Sequence, residues 1–518
     1  MSHIDALRER LYQLSDLDHA ASLASWDQQT MMPARGGAAR AESLATLARI
    51  RHEMFVAGET GRLLDAAAAQ LDGAGDAADP DSDDARLVWL TRRDYDKARR
   101  VPSALAAELA RAASVGHEAW AAARAASDFR AFAPYLSHNL ELTRRYVECH
   151  LDDPDFSCAY DVLLDDYEPR MPTAQVAALF EELRTDLVAL IAAVAAAPPV
   201  SETPLHARFA IDGQRRLVAE VVGMMGFTAD AWRMDDTVHP FALRIGSGDV
   251  RITNRWDEGY WPMGLYGSMH ECGHGLYEAG LAPSLMRTPL GSGESLGMHE
   301  SQSRLWENMV GRGRAFCTVL APRIAALAQG ELSDLDADRL FTAVNRVKPD
   351  FIRVEADEAT YGLHIVLRFE LEQALVDGRL AVSELPEAWN DRMRSDLGVQ
   401  VTDDAHGVLQ DVHWSGASFG YFPTYALGNL IAGQLWARVR EDIPELEAQL
   451  ADGDLAPLRE WLRDRIHRHG SKFTTAELLQ SATGAPIAAA PYTAYLREKL
   501  SRVYGVDLGP RRAGGNGA

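Results

Sequence analysis

The stretch Gly267–Gly280 reads GSMHECGHGLYEAG. It sets His270 and His274 four residues apart, with Glu271 directly after the first histidine. On an α-helix, residues four apart share a face. Both imidazoles can then converge on one point, and zinc accepts imidazole nitrogen at roughly 2.0–2.1 Å. Glu271, one step around the helix, can reach a water held there. This is the H-E-x-x-H pattern, in which the glutamate serves as general base. The competing reading is an ordinary helix with three polar residues. Cys272 lies two residues after His270, roughly 200° around the helix. It is turned away from that point and reads as a small packed residue. Gly273 inside a helix costs about 1 kcal/mol relative to alanine. It implies a close backbone neighbour, and the hairpin described below is the expected one.

A catalytic zinc needs a third protein ligand and one open position. The residues after His274, GLYEAGLAPSLM, lack an H-x-x-G-x-x-H continuation, which disfavours a site of three histidines. A glutamate on a following helix is the other common solution. GSGESLGMHESQSRLWENMVGR (Gly291–Arg312) offers it, with Ser295 as a cap for a helix containing Glu300, Arg304 and Glu307. On spacing, Glu294, Glu300, Glu307 and Glu278 all remain open. His299 and Glu300 are sequence neighbours, so only one of them is expected to face the metal.

Most of the remaining chain has helical periodicity. Ile4–Trp26, Pro102–Ser127 and Thr173–Ala197 are the longest such stretches, the last with Thr173 as expected N-cap and Pro198 as stop. Further helices are expected at Leu335–Val347, Glu355–Val376, Ala426–Gln449 and Leu455–His469. The acidic stretch LDGAGDAADPDSDDA (Leu71–Ala85) is a loop by composition. The best strand signal is FALRIGSGDVRITNRW (Phe241–Trp256), two short β-prone runs around Gly246-Ser247-Gly248, which predict a hairpin. The expected class is mainly α, with a small sheet beside the helix of the two histidines. One catalytic domain is expected over about residues 1–510, helical to about 200 and carrying the metal site from about 201, followed by a disordered tail at 511–518.

The chain has 518 residues and a formal charge of −23, which argues against nucleic acid or an anionic membrane as the main partner. Cys149, Cys158, Cys272 and Cys317 form no C-x-x-C pair, which fits a reducing compartment. The start, MSHIDALRERLYQLSDLDHA, lacks the basic and apolar regions of a signal peptide. The longest apolar run, Leu187–Val200, is too short to span a membrane and ends in prolines. A cytoplasmic protein is expected.

Six motifs together resemble the M32 metallocarboxypeptidases of the thermostable carboxypeptidase Taq type. They are His239-Pro240-Phe241; Asp249-Val250-Arg251-Ile252-Thr253; His270 to His274; His299-Glu300-Ser301-Gln302-Ser303; Ile352-Arg353-Val354-Glu355-Ala356-Asp357; and Gly407-Val408-Leu409-Gln410-Asp411-Val412-His413-Trp414. WDQQTMMP (Trp26–Pro33) also looks like the family's N-terminal segment. Each motif is short, but six in order across nearly the whole chain are specific. The resemblance implies a mostly helical, neurolysin-like fold with a deep active-site groove, and a homodimer. It also implies Glu300 as third zinc ligand.

The expected chemistry is zinc-dependent hydrolysis of the C-terminal peptide bond of peptides with a free C-terminus. Glu271 is the expected general base. His413 and Tyr421 or Tyr425 are expected to support the oxyanion. Arg353 is the choice for the substrate carboxylate, since a planar guanidinium matches it bidentately, with Asp357 four residues on to orient it. Asp249, Arg251 and Thr253 alternate on a strand and so face one side, which is either polar structure or a groove wall with a supporting role. Asp249, Arg251, His239 and Tyr425 are expected near substrate. Asp411 or Asp357 is expected to orient a histidine. Cobalt or manganese could replace zinc in such a ligand set. The alternatives are an oligopeptidase that cuts internally and a non-catalytic helical protein with structural zinc. The absence of a cysteine pair counts against the latter.

Overall fold

The computed structural model describes residues 2–73, 79–328 and 330–509. Helix dominates, as the periodicity predicts. The first helix, His3–Thr30, opens on a capping box: the Ser2 hydroxyl accepts from Asp5 N, and the Asp5 carboxylate accepts from Ser2 N. Ser103–Ala126 and Thr173–Ala195 match their expected stretches. Thr173 is the first helical residue rather than the cap, because Pro172 holds the cap position and Asp161 accepts from Thr173 N at 2.7 Å.

Other boundaries move for physical reasons. The expected helix Glu355–Val376 begins only at Tyr361, after a separate turn at Arg353–Glu355. Asp357 accepts from the N–H groups of Ala359 and Thr360 and so ends the extended approach there. The expected helix Ala426–Gln449 is two helices, Pro423–Asp442 and Leu446–Asp452, separated at Pro444. In the acidic stretch, Gly58–Asp72 runs into its start and Asp83–Arg100 begins before its end. The expected tail at 511–518 lies outside the described residues.

The hairpin is present as β2 (Ala242–Gly246) and β3 (Asp249–Asn254), antiparallel, with Gly248 at φ +72° in the turn. A third strand, β1 (Trp232–Asp236), pairs parallel to β3, giving the order β1-β3-β2. No strand is predicted at WRMDD, which is largely polar and lacks β-branched residues.

The chain divides into two compact units, each assembled from three stretches. The first contains Met1–Arg99, Thr203–Phe341 and Arg438–Pro486. In it the sheet lies on the helix Pro262–Gly280: Val250 and Ile252 are buried, and Trp232 lies against Gly275. The second contains Arg100–Glu202, Thr342–Ala437 and Ile487–Ala518. Its centre is the helix Tyr361–Val376, buried on nearly every face, with Gly362 against Leu183 and Leu187.

Candidate metal centre

The two helices that build the centre touch at a glycine. A Cβ on Gly273 would lie 2.7 Å from Ser303 Cα and 2.8 Å from Gln302 O. The close neighbour expected of Gly273 therefore exists, but it is the helix Leu296–Arg304 and not the hairpin. Ser295 caps that helix as predicted, accepting from Met298 N at 3.0 Å. This contact brings Glu300 to the two histidines. Its Oε2 is 3.3 Å from His274 Nε2 and 3.5 Å from His270 Nε2. The three ligand atoms lie within 4.8 Å of one another.

The other glutamates weighed as ligands are engaged elsewhere. Glu294 accepts from the Thr475 hydroxyl. Glu278 pairs with Arg244 at 2.7 Å and with His299 at 3.0 Å. Glu307 stands behind the histidines, its Oε2 2.9 Å from His270 Nδ1. It sits in a π-helical turn, Leu305–Gly311, that follows Leu296–Arg304 without a break. Such turns occur often at functional sites because they re-aim a side chain. Arg304 donates to Glu300 Oε1 at 2.7 Å, and Arg312 donates to Glu307 Oε1 at 2.5 Å. His274 is held differently: its Nδ1 is 2.6 Å from Nδ1 of His299. Cys272 is buried and outside the ligand group, as expected.

Glu271 is buried beside this group. Burial pushes its carboxyl up to about 7, with the Glu300 and Glu307 carboxylates adding to the effect and His270 opposing it. Burial disfavours charge on His270 too, yet Glu300 and Glu307 outweigh it and raise that group's pKa. His274, with His299 and His270 beside it, is pulled down to about 4, chiefly by burial.

The arginine motif builds a separate network in the second unit. Arg353 donates from Nε and Nη2 to Asp411 Oδ1 at 3.0 and 2.8 Å, and from Nη1 to Tyr361 OH at 2.9 Å. Arg368, fully buried, donates to Asp411 Oδ2 at 2.8 Å. Although burial opposes it, Arg353 and Arg368 hold the Asp411 carboxyl well below the usual carboxylate range. The partner expected for Arg353, Asp357, instead accepts from backbone N–H groups and from the Thr360 hydroxyl at 2.9 Å. Asp411 Oδ1 does face a histidine, at 4.0 Å from His413 Nδ1, whereas the partners of His270 and His274 are Glu307 and His299.

His413 Nε2 is 3.2 Å from Tyr425 OH, and the ring lies among Tyr421, Phe422 and Tyr425. Burial, reinforced by Arg353 and Arg368 against Asp411, lowers its pKa to about 4. In the first unit, Asp249 and Arg251 pair with each other at 2.8 Å, and the guanidinium lies 4.4 Å from the Trp26 ring centre. Thr253 is buried on Phe241 N. His239 is exposed between β1 and β2.

The family model for carboxypeptidase Taq (M32) metallopeptidases matches residues 6–500. The chain belongs to the M32 family. It is 42% identical over 491 residues to thermostable carboxypeptidase 1 of Thermus thermophilus, covering 93% of this chain and 95% of that one. Carboxypeptidase 1 of Bacillus subtilis is 35% identical over 497 residues, with 95% and 97% covered. The crystal structure of the M32 carboxypeptidase from Deinococcus radiodurans R1 matches with a TM-score of 0.93 at 38% identity, covering 97% of this chain and 100% of that one. This M32 protein is accordingly a metallocarboxypeptidase, a peptide hydrolase that works with a metal ion.

The residues present fit such an ion. A histidine ligates a metal in its neutral form, and because a carboxylate only accepts hydrogen bonds, neutral His270 must place its proton on Nδ1, toward Glu307. Its Nε2 is then a bare lone pair facing Glu300 Oε2, acceptor against acceptor, at 3.5 Å. A cation between them relieves that opposition, and a His₂Glu set suits zinc. Among the described residues, no helix is long and apolar enough to cross a membrane.

Proposed function

We propose that this M32 metallocarboxypeptidase uses Zn²⁺ held by His270, His274 and Glu300, with Glu271 as general base in cleavage of the C-terminal peptide bond. The observation that carries the reading is the convergence of the three ligand atoms within 4.8 Å beside a buried carboxyl. The ion, when bound, supplies Lewis acidity to the hydrolytic water and the peptide carbonyl. Glu271 takes a proton from the attacking water on its carboxylate and delivers it to the leaving amine nitrogen. A carboxyl held near 7 suits both halves of that transfer, and nearby positive charge favours its ionised form. Cobalt or manganese can occupy the same donors.

Substrate roles are proposed for the second network and for part of the first unit. Arg353 recognises the C-terminal carboxylate: Asp411 and Tyr361 engage three of its five N–H groups, and each terminal nitrogen keeps one more. His413 and Tyr421 support the oxyanion, and His239, Tyr425, Asp249 and Arg251 contact the peptide. The catalytic domain spans about residues 1–510, in a neurolysin-like arrangement, and the enzyme is a cytoplasmic homodimer.

A Glu271→Gln variant tests the core of this reading. It should retain zinc on metal analysis and lose peptidase activity. Full activity in that variant would remove Glu271 as the base. Matched peptides with free and amidated C-termini test Arg353: equal cleavage rates would sink its role as carboxylate clamp.

A further inference from the structure

We infer that His299 is a positioning residue that fixes the tautomer of His274, through a chain His274–His299–Glu278–Arg244, and thereby sets metal affinity. The inference rests on the reading of His274 as a metal ligand.

The chain determines its own proton order. Arg244 Nε donates to Glu278 Oε2 at 2.7 Å, which keeps that carboxylate an acceptor. Glu278 Oε1 lies 3.0 Å from His299 Nε2, so this nitrogen carries the hydrogen. Neutral His299 then has a bare Nδ1, which can only accept. At 2.6 Å, the hydrogen between the two Nδ1 atoms therefore belongs to His274. That leaves His274 Nε2 as a lone pair, aimed at the point it shares with Glu300. The opposite tautomer would put a hydrogen where a ligand lone pair is needed.

The packing keeps the His299 ring from turning. Tyr277 lies 5.1 Å from it, ring centre to ring centre. On another side is Gly293, where a Cβ would come within 2.6 Å of His299 Cδ2. Glu278 follows His274 by four residues on the same helix, so one helix face supplies both partners of His299. His270 has the shorter arrangement, a carboxylate directly on Nδ1. Outer partners of this kind typically change metal affinity 10- to 100-fold, on the order of one to two decades.

The test measures zinc affinity of the full-length protein by competition with a chromophoric chelator, together with the visible absorption of the Co²⁺-loaded form. His299→Phe keeps a ring but removes the acceptor, and should weaken zinc binding about 10- to 100-fold and shift the cobalt spectrum. His299→Asn can present Oδ1 near the position of Nδ1, and should recover most of that loss. Glu278→Gln should weaken binding by about tenfold. If His299→Phe or Glu278→Gln binds zinc as the parent does, the relay is overturned. A purely structural role would lower the melting temperature of the metal-free variants and leave zinc affinity unchanged, and this too overturns it. If His299→Phe does not fold, the Asn and Gln variants carry the decision. His274→Ala separates the two levels: zinc affinity equal to the parent's would sink the metal-site reading itself, whereas its loss beside an unaffected His299→Phe sinks only the relay.

Discussion

The metal centre and the Arg353 network are both buried assemblies of charge, and they are unbalanced in opposite directions. Around the two imidazoles stand the carboxyl groups of Glu271, Glu300 and Glu307, faced by the guanidinium groups of Arg304 and Arg312. In the second unit, two guanidinium groups, Arg353 and Arg368, share the single carboxylate of Asp411. Three carboxyl groups thus stand with two guanidinium groups in the first, and two guanidinium groups with one carboxylate in the second. Buried charge is costly unless compensated. On the proposed reading, a metal ion completes the first assembly and a substrate carboxylate the second. Burial is the main cause that pushes the Glu271 carboxyl up to about 7 and the His413 imidazole down to about 4; Glu300 and Glu307 add to the first shift, and Arg353 and Arg368 add to the second.

The strongest way to break the comparison is to remove the cation. Dialysis against a chelator should abolish peptidase activity, and one equivalent of zinc should restore it. Unfolding with and without zinc should differ by about 4 kcal/mol when free zinc exceeds its Kd a thousandfold. Activity that survives chelation would leave the acidic assembly without its partner. In the second unit, Asp411→Asn removes the carboxylate that the two arginines share. It should destabilise the protein by about 3–5 kcal/mol in urea unfolding at neutral pH. Because the folded pKa of Asp411 is depressed, its contribution is present above the ordinary aspartate pKa and is lost as pH falls below it. The variant should therefore lose stability less steeply on acidification than the parent. An equal slope would show that the network is not charge-coupled.

Gly273→Ala sharpens the geometric side. Its methyl would press on Ser303 and Gln302 backbone, costing about 1–3 kcal/mol by overpacking. It should also weaken zinc binding, because the displaced helix carries Glu300. Undisturbed zinc affinity would mean that the helix contact does not set the ligand position. The smallest expected effect is a control. Arg49→Ala removes an exposed pair with Glu53 on one helix and should change stability by no more than about 0.5 kcal/mol.

Much of the centre is legible in the sequence because its rules are local. The i, i+4 spacing of His270 and His274, the Ser295 cap and the Gly-rich hairpin turn each involve residues within a few positions. Glu300 was one of four glutamates on spacing alone, and the family motif selected it. The parts that were not legible depend on distant pairs. β1 forms because Trp232–Asp236 meets β3, and nothing in WRMDD itself signals a strand. His299 as partner of His274, and Glu307 as partner of His270, are 25 and 37 residues away. The partner of Arg353 is Asp411, 58 residues on, not Asp357, four residues on.

By itself, the sequence determined which helix carries the ligands, which class of ion they suit and the family to which the chain belongs. Tertiary structure alone decided which ring nitrogen of each histidine is tied back, how the arginines are paired, and which elements bring Glu300 to the two histidines. The division has one physical cause. Helical spacing and capping act over one or two turns and are written in neighbouring residues. Compensation of buried charge is negotiated between whichever elements packing brings within about 3 Å, the range of a hydrogen bond.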